Sequence, residues 1–411
     1  MDGMSEHNGA AVAANSRRGN AAEVLLVFLR LGLTSFGGPI AHIGYFREEF
    51  VVRRKWLDEQ AYVDLVALCQ FLPGPASSQV GFSIGLMRAG YGGALAAWTG
   101  FTLPSAIAIV LFAYGAGALI GPVGTGLLHG LKLVAVAIVA QAVWGMARTL
   151  CPDKERASIA VVAALVILFS TSSVAQIGAI ALGGVAGLWL CRGAQPVAGA
   201  HMPIPVGRVA GLVALTLFFV LLLGLPILQS IEGAPGIALF DAFYRSGALV
   251  FGGGHVVLPL LRQAFVGPGW ISDDTFLAGY GAAQAVPGPL FTFAAYLGAV
   301  ASAPPGGVIG AALALVAIFA PGLLLLMAAL VFWQDLRARS NARAAMAGVN
   351  AAVVGLLASA LYDPVWTSAV RDRSDFAVAA AAFVALIVWR APPLLVVVST
   401  LGATVALRLG G

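Results

Sequence analysis

Five sequence features occur twice in this chain, in the same order and at nearly the same spacing. They are Arg30 and Arg245, Phe36-Gly37-Gly38 and Phe251-Gly252-Gly253, Trp56 and Trp270, Gln70 and Gln284, and Pro73-Gly74-Pro75 and Pro287-Gly288-Pro289. The offset is 215 positions from Arg30 to Arg245 and 214 positions from Gln70 to Gln284. A chain with 51 glycines and 21 prolines repeats one Pro-Gly-Pro by chance, but not five ordered features. We infer that it contains two copies of one structural unit.

Most of the chain is too apolar to be exposed to water. Hydrophobic residues make up 60% of it and charged residues 10%, with a mean hydropathy of +0.93, whereas soluble domains carry roughly 25% charged residues. We therefore expect a lipid bilayer to surround most of the chain. The net charge is +5, but the basic residues do not form a run interspersed with aromatic residues, so no nucleic-acid partner is expected. The excess is typical of cytoplasmic loops in membrane proteins.

The sequence carries no motif for catalysis or cofactor binding. It has no Walker loop and no haem, flavin or metal motif. Its three cysteines, Cys69, Cys151 and Cys191, form neither a metal-ligand spacing nor a disulfide framework. We predict a protein that is not an enzyme and that needs no cofactor or metal.

The duplication divides the chain into four parts. Residues 1–20 are predicted to be a disordered cytoplasmic tail. The first repeat is expected at residues 21–192, a linker with a connecting transmembrane helix at 193–235, and the second repeat at 236–411. The predicted fold class is all-α: a polytopic membrane protein of two homologous inverted-topology repeats, with broken or re-entrant helices and roughly 10–12 membrane segments.

Lysine and arginine positions indicate that the second repeat is inverted. In the first repeat, the span after the broken region starts beside Arg88 and ends at uncharged residues 121–126. The matching span of the second repeat starts at uncharged residues 303–307 and ends beside Arg337, Arg339 and Arg343. Positive residues favour the cytoplasmic side, so the first span is expected to start at the cytoplasmic side and the matching second span to end there.

The connecting crossing at residues 208–229 would produce this inversion. The N-terminus is predicted to lie in the cytoplasm. Arg371 and Arg373 fall on the wrong side in this scheme.

Helix-breaking residues in the duplicated stretch define the candidate binding site. Backbone groups freed inside hydrocarbon cost several kcal/mol each, so breaks persist only where protein or a water-filled cavity surrounds them. The half-helix after each Pro-Gly-Pro presents free N–H groups and a positive dipole end, which favours an anion. The candidate substrate-binding residues at the breaks are Gly37, Gly38, Pro73, Gly74, Pro75, Gly252, Gly253, Pro287, Gly288 and Pro289.

Polar side chains beside the breaks are further candidates. Ser77 and Ser78 follow the first Pro-Gly-Pro and Thr292 follows the second, where hydroxyls can donate hydrogen bonds to an oxyanion. Gln70 and Gln284 lie about one helical turn before the breaks. They either contact the substrate or satisfy backbone groups that the breaks free.

Arg30 and Arg245 lie among apolar residues shortly before the glycine breaks. Charge at membrane depth is costly and usually functional, and a guanidinium fits the face of an oxyanion. The alternative is local pairing, for which Asp241, four positions before Arg245, is the first candidate. His42 and His255 follow the two glycine breaks at non-equivalent positions, which favours a structural role over a shared proton relay.

The residues that carry a family resemblance are Gly37, Gly38, Val51, Trp56, Pro73, Gly74, Pro75, Gly85 and Gly93. In this order they resemble the chromate ion transporter family (CHR), in its long two-domain bacterial form, and the likeness covers nearly the whole chain after the tail. It implies an inner-membrane protein that exports chromate and confers chromate resistance, powered by the chemiosmotic gradient. It also implies functional roles for the glycine pair, Trp56 and the Pro-Gly-Pro, and for their second-half counterparts. Gly254 stands where the first repeat has Pro39, so the two loops are not equivalent.

The expected function is outward secondary transport of a tetrahedral oxyanion by alternating access, driven by the proton-motive force or the membrane potential. The residues alone leave the anion open between chromate, sulfate and another oxyanion. They also leave a passive anion channel as a second class. A coupling proton or other ion and the lipid bilayer are the other expected partners, and a homodimer stays open.

Overall fold

The computed structural model describes residues 19–36, 38–115, 121–170, 173–191, 206–250 and 257–410. Across these ranges all regular structure is helical, as the composition predicted. The candidate residues Gly37, Gly252 and Gly253, and residues 1–18 of the predicted tail, lie outside the described residues.

The helices of the first repeat are α1 Ala21–Thr34, α2 Gly38–Arg47, α3 Glu59–Phe71, α4 Ala76–Gly115, α5 Gly121–Leu150, α6 Lys154–Leu168 and α7 Ser173–Leu190. The connecting helix is α8 Arg208–Glu232. The helices of the second repeat are α9 Pro235–Ala248, α10 Val257–Phe265, α11 Asp273–Ala285, α12 Phe293–Val300, α13 Gly307–Ala338, α14 Ser340–Ala360, α15 Arg373–Ile387 and α16 Pro393–Gly410. Helix α2 continues as a π-helix over Glu48–Arg53. We call residues 38–56 the interfacial segment, and α10 is its counterpart in the second repeat.

Helix α4 is two helices joined by a tight turn. The backbone leaves helical geometry at Ala89 and Gly90, so a short arm, residues 76–88, folds back against a long arm, residues 91–115. The arms touch at glycines: a β-carbon on Gly85 would lie 2.3 Å from the carbonyl oxygen of Gly93. Helices α12 and α13 form the same hairpin in the second repeat, where a β-carbon on Gly298 would lie 2.3 Å from the carbonyl oxygen of Gly310.

Helices α3 and α11 are too short to cross a bilayer. Each has 13 residues, which at a rise of 1.5 Å per residue spans about 20 Å of a hydrocarbon core roughly 30 Å thick. A Pro-Gly-Pro follows each of them, and the chain then returns through the short arm of α4 or through α12. Each repeat therefore contains a pair of half-helices with the Pro-Gly-Pro at its tip.

A matching ion pair fixes where each half-helix starts. Arg47 Nε lies 2.7 Å from Glu59 Oε1 in the first repeat, and Arg262 Nε lies 2.7 Å from Asp273 Oδ1 in the second. In both pairs a second guanidinium nitrogen donates to the other carboxylate oxygen, at 2.9 and 3.0 Å. These contacts tie the interfacial segment to the first residue of the half-helix in both repeats.

Each repeat places one of its helices, α5 or α14, against the last two helices of the other repeat. Helix α5 packs against α15 and α16 of the second repeat, and α14 packs against α6 and α7 of the first. Small residues allow this close approach: a β-carbon on Gly348 of α14 would lie 2.1 Å from the carbonyl oxygen of Gly183 of α7. Small residues at helix contacts are typical of membrane proteins, in which packing rather than water exclusion drives association. The repeats thus form one interlocked body.

Five helical segments are long and apolar enough to cross a membrane, counted over the described part of the chain. They are Ala76–Gly115, Val123–Leu150, Arg208–Ile231, Gly307–Phe332 and Ser340–Ala369. Shorter apolar helices occur at Ile177–Leu190, Leu290–Val300 and Pro393–Leu409. The protein is therefore a multi-pass helical membrane protein in which full crossings alternate with shorter helices and half-helices.

Candidate functional site

Each Pro-Gly-Pro contacts the glycine break of the other repeat. The backbone N–H of Gly74 donates to the carbonyl oxygen of Val250 at 2.7 Å, and the N–H of Gly288 donates to the carbonyl oxygen of Ser35 at 2.9 Å. Ser35 and Val250 are equivalent residues, each directly before a Phe-Gly-Gly run. Two such reciprocal bonds are what a twofold relation between the repeats produces. The structure thus brings both tips to the repeat interface.

The two tip glycines have backbone geometry that disfavours other residues. Their φ angles are +115° for Gly74 and +102° for Gly288, a region that is nearly exclusive to glycine. A β-carbon on Gly74 would lie 2.9 Å from the Cα atom of Gly322 in α13, and one on Gly288 would lie 2.7 Å from Ser105 Oγ in the long arm of α4. Each tip therefore rests against the long helix of the opposite repeat.

A buried histidine, His42, links the glycine break of the first repeat to the Pro-Gly-Pro break of the same repeat. His42 Nε2 lies 3.2 Å from the Ser35 carbonyl oxygen, which also accepts the Gly288 N–H, and His42 Nδ1 lies 3.4 Å from Ser77 Oγ. Because a carbonyl oxygen only accepts, Nε2 carries the proton, and in the neutral ring Ser77 donates to Nδ1. Both ring nitrogens have partners, as expected for a structural histidine. The equivalent residue of the second repeat is Val257, whose side chain forms no hydrogen bonds, so only the first repeat has this link.

Several buried polar atoms near the breaks have no hydrogen-bond partner among the described residues. They include Ser35 Oγ, Ser78 Oγ and Gln284 Nε2. A buried polar group left unpaired costs about 1–3 kcal/mol, so a bound water or ligand is expected beside it. Hydroxyl and amide N–H groups can donate, which suits an acceptor-rich ligand such as an oxyanion, whereas the unpaired Oε1 of Gln79, the residue after Ser78, only accepts.

Gln79 ties the first tip to the second repeat. Its Nε2 donates to the carbonyl oxygens of Pro73 and Gly322, both at 2.9 Å. The corresponding position of the second repeat is Phe293, which opens α12. The tips are therefore equivalent in backbone but different in side-chain chemistry.

The predicted polar residues of the second tip differ from those of the first. Thr292 lies in a 3₁₀ turn, Leu290–Thr292, and its hydroxyl donates to the Pro289 carbonyl oxygen at 2.8 Å. Ser78, its equivalent, has a buried hydroxyl with no such partner. Gln70 is exposed, whereas Gln284 Nε2 is buried. Of the candidate residues that the structure describes, Ser78 and Gln284 therefore have buried donors without a partner.

The two arginines have different surroundings. Arg245 pairs with Asp241, with Nε 2.8 Å from Oδ1, so the predicted local partner is confirmed. Arg30 is exposed and has no ion-pair partner within the described ranges. It shares a face of α1 with Leu26 and Leu33, which are also exposed.

Trp56 lies in the interfacial segment after α2. Its ring stacks on Phe50, with centroids 4.9 Å apart, and the guanidinium carbon of Arg88 lies 4.8 Å from the ring centroid. These contacts link the interfacial segment to the turn that follows Arg88. They are typical of an aromatic anchor at a membrane surface.

Sequence reasoning missed Ser35 and Val250, whose carbonyl oxygens receive the opposite tips. Both residues directly precede a duplicated Phe-Gly-Gly, so the repeat itself marked them. Their role depends on backbone atoms of the other repeat, and no residue-type pattern records such a contact.

Paired half-helices that meet at the interface of two interlocked membrane repeats are an arrangement found in many membrane transporters. The comparison with known families agrees. Residues 22–188 and 237–407 both match the chromate transporter family, and the chain belongs to that family.

Similar proteins span most of this chain. It is 29% identical to a chromate transport protein of Pseudomonas aeruginosa over 361 residues, covering 84% of this chain and 82% of that protein. It is 25% identical to a chromate transport protein of Cupriavidus metallidurans over 347 residues, covering 82% and 81%. An uncharacterized transporter of Methanocaldococcus jannaschii is 26% identical over 343 residues, covering 82% and 83%. No solved structure matches the chain.

Proposed function

We propose that this protein exports chromate across a bacterial inner membrane by alternating access, with its N-terminus in the cytoplasm. The observation that carries the proposal is the reciprocal contact of the two Pro-Gly-Pro tips, with unpaired buried donors beside it. Family membership and the names of the relatives supply the anion. Sulfate is the second candidate, because it shares the tetrahedral shape and double charge of chromate.

The proposed binding site lies at the tips. The N-terminal N–H groups of the short arm of α4 and the hydroxyl of Ser78 would donate to the anion from the first repeat, whereas the single hydroxyl proton of Ser77, the other predicted donor, is bound to His42. The amide of Gln284 would donate from the second. Arg30 would supply positive charge that offsets a dianion in a medium of low dielectric constant, and Arg245 would contribute by shifting its guanidinium from Asp241 to the anion.

The interlocked repeats give alternating access a physical basis. Each tip rests on the opposite repeat through one backbone hydrogen bond, so a rocking motion that breaks one tip contact at a time opens the site to one side. The exchange of α5 and α14 couples the halves, because neither can move without carrying helices of the other. The proton-motive force or the membrane potential would drive the cycle outward.

Transport in inside-out membrane vesicles tests the function. Energised vesicles that contain the protein should accumulate radiolabelled chromate, and a protonophore should abolish the accumulation. Excess sulfate, molybdate and phosphate added in turn report which anion competes. Uptake equal to that of vesicles without the protein would overturn the proposal, and protonophore-insensitive equilibration would indicate a channel.

Cysteine labelling tests the inversion. Tyr91 and Ser302 are exposed at the equivalent hairpin turns of the two repeats. In a background with Cys69, Cys151 and Cys191 replaced by alanine, a membrane-impermeant maleimide should label Ser302→Cys in intact cells. It should label Tyr91→Cys only after permeabilisation. Labelling of both from the same side would exclude inverted repeats.

A further inference from the structure

A cavity of about 510 Å³ lies between the repeats, apart from the Pro-Gly-Pro tips. Its wall is formed by α5 and the end of the long arm of α4 in the first repeat, together with α11, α12, α16 and the residue Arg371 just before α15 in the second. The volume is in the range of ligand-binding cavities. Its ionisable lining residues are His129, Lys132, Asp274, Arg371 and Arg408.

The cavity carries an excess of positive charge. Buried Lys132 pairs with Asp274, with Nζ 2.5 Å from Oδ1, and buried His129 Nε2 lies 2.6 Å from Asp375 Oδ1. The guanidinium groups of Arg371 and Arg408 form no ion pair with any described residue. Lys132, Arg371 and Arg408 carry three positive charges against the two negative charges of Asp274 and Asp375, so an excess of at least one positive charge is available to an anion.

The position of the cavity explains why Arg371 does not follow the charge distribution of the other loops. The cavity lies where α5, α11 and α15 begin and where the long arm of α4 and α16 end, so all its walls meet at one membrane face. That face carries the uncharged turns at residues 121–126 and 303–307, and in the proposed topology it is the outer face. An arginine at an outer face opposes the positive-inside tendency, and anion binding gives a physical reason for it.

Helix α11 connects the cavity with the tips. Asp274, in the first turn of α11, lines the cavity, and Gln284, ten residues further along the same helix, lies beside the second Pro-Gly-Pro. Ten residues of helix cover about 15 Å. An anion released from the tips toward the outside would therefore meet the cavity within that distance.

We propose that this cavity is a second binding site for a tetrahedral, doubly charged oxyanion, and that it holds the anion on the outward side of the transport path. Arg371 and Arg408 contact its oxygens through guanidinium N–H groups, which bind two oxygens at once. Lys132 supplies a point charge at the wall of the cavity. The identity of the anion rests on the proposed function, whereas the presence of the site rests on the charge and shape of the cavity.

Protection of a cysteine in the cavity wall tests the site. Thr125 is exposed and lines the cavity. In the full-length protein without native cysteines, potassium sulfate should slow the reaction of Thr125→Cys with N-ethylmaleimide, compared with potassium chloride at equal ionic strength. Arg371→Gln and Arg408→Gln should each raise the sulfate concentration for half-protection by about tenfold or more. Arg371→Lys should retain part of the protection, because it keeps the charge.

Arg373→Gln is the matched control, because Arg373 is an exposed arginine two positions from Arg371 that does not line the cavity. It should leave protection unchanged. Equal protection in wild type, Arg371→Gln and Arg408→Gln, with all three proteins equally stable to heat, would overturn the proposal.

The phosphate of a lipid headgroup has similar chemistry, so the phospholipid phosphorus that co-purifies with each variant should also be measured. Loss of bound phospholipid in the arginine variants, without loss of sulfate protection, would assign the cavity to lipid and overturn the anion site. The outcome is separable from the proposed function. Arginine-dependent sulfate protection in a protein that does not transport chromate would retain the cavity site and reject chromate export.

Discussion

Gly74→Ala and Gly288→Ala should each reduce chromate export to the level of cells that lack the protein. A residue with a β-carbon is strained in the backbone conformation of either position, at a cost of about 1–3 kcal/mol. It also meets the opposite repeat, at 2.9 Å from Gly322 Cα for Gly74 and 2.7 Å from Ser105 Oγ for Gly288. The tip must then withdraw, which lengthens or breaks the bond to Val250 or Ser35. Uptake of radiolabelled chromate by inside-out vesicles measures the effect.

The controls separate the tips from a general effect of added volume. Gly145 in α5 and Gly224 in α8 have no heavy atom within 4 Å of an added β-carbon. Gly145→Ala and Gly224→Ala should transport at the wild-type rate. Size-exclusion profiles should show that the tip variants still insert and fold. Normal transport by Gly74→Ala and Gly288→Ala would mean that the tips only fill space.

Arg30→Gln should lower the initial rate of export by about tenfold or more. Arg30 has no ion-pair partner among the described residues, so in the proposed mechanism its charge is available to the anion. Hydrogen bonds to a charged group contribute roughly 1.5–3 kcal/mol, which corresponds to this loss. Arg30→Lys should keep a part of the rate, because it keeps the charge but loses the planar donor pair. Wild-type export by Arg30→Gln would remove Arg30 from the site.

Arg245 needs a different experiment, because its removal leaves Asp241 as an unpaired buried charge. Asp241 has a side-chain exposure of 9% and contacts Arg245 at 2.8 Å. A loss of export in Arg245→Gln alone therefore has two explanations. The double variant Asp241→Asn with Arg245→Gln removes both charges and should remain defective if Arg245 binds the anion. Recovery of export in the double variant would give Arg245 a structural role.

The periodic features of the sequence predicted the local structure well. Pro-Gly-Pro after an apolar helix predicted half-helices, and the structure has them at Glu59–Phe71 and Asp273–Ala285. Asp58 and Ser272 mark their starts, because each side chain accepts the backbone N–H three residues later. The i,i+4 spacing of Asp241 and Arg245 predicted their pairing. In each case the cause lies within a few residues along the chain.

The contacts that the sequence did not reveal join distant segments. In the sequence, Lys132 and His129 are isolated polar residues in an apolar span. Their partners, Asp274 for Lys132 and Asp375 for His129, lie 142 and 246 positions away. The acceptors at Ser35 and Val250 are backbone atoms, for which one residue type is as suitable as another. Residue patterns record neither kind of contact.

The sequence by itself determined that the chain is duplicated, that it belongs in a membrane and that each copy is broken at two points. These properties follow from composition and from residues such as proline and glycine, which act on their own backbone. The tertiary structure decided that each tip contacts the opposite repeat and that α5 and α14 each pack against helices of the other repeat. It also decided that cationic residues from distant parts of the chain line one cavity. Those outcomes depend on how surfaces from different repeats fit together, and that fit arises only after the helices have formed and packed.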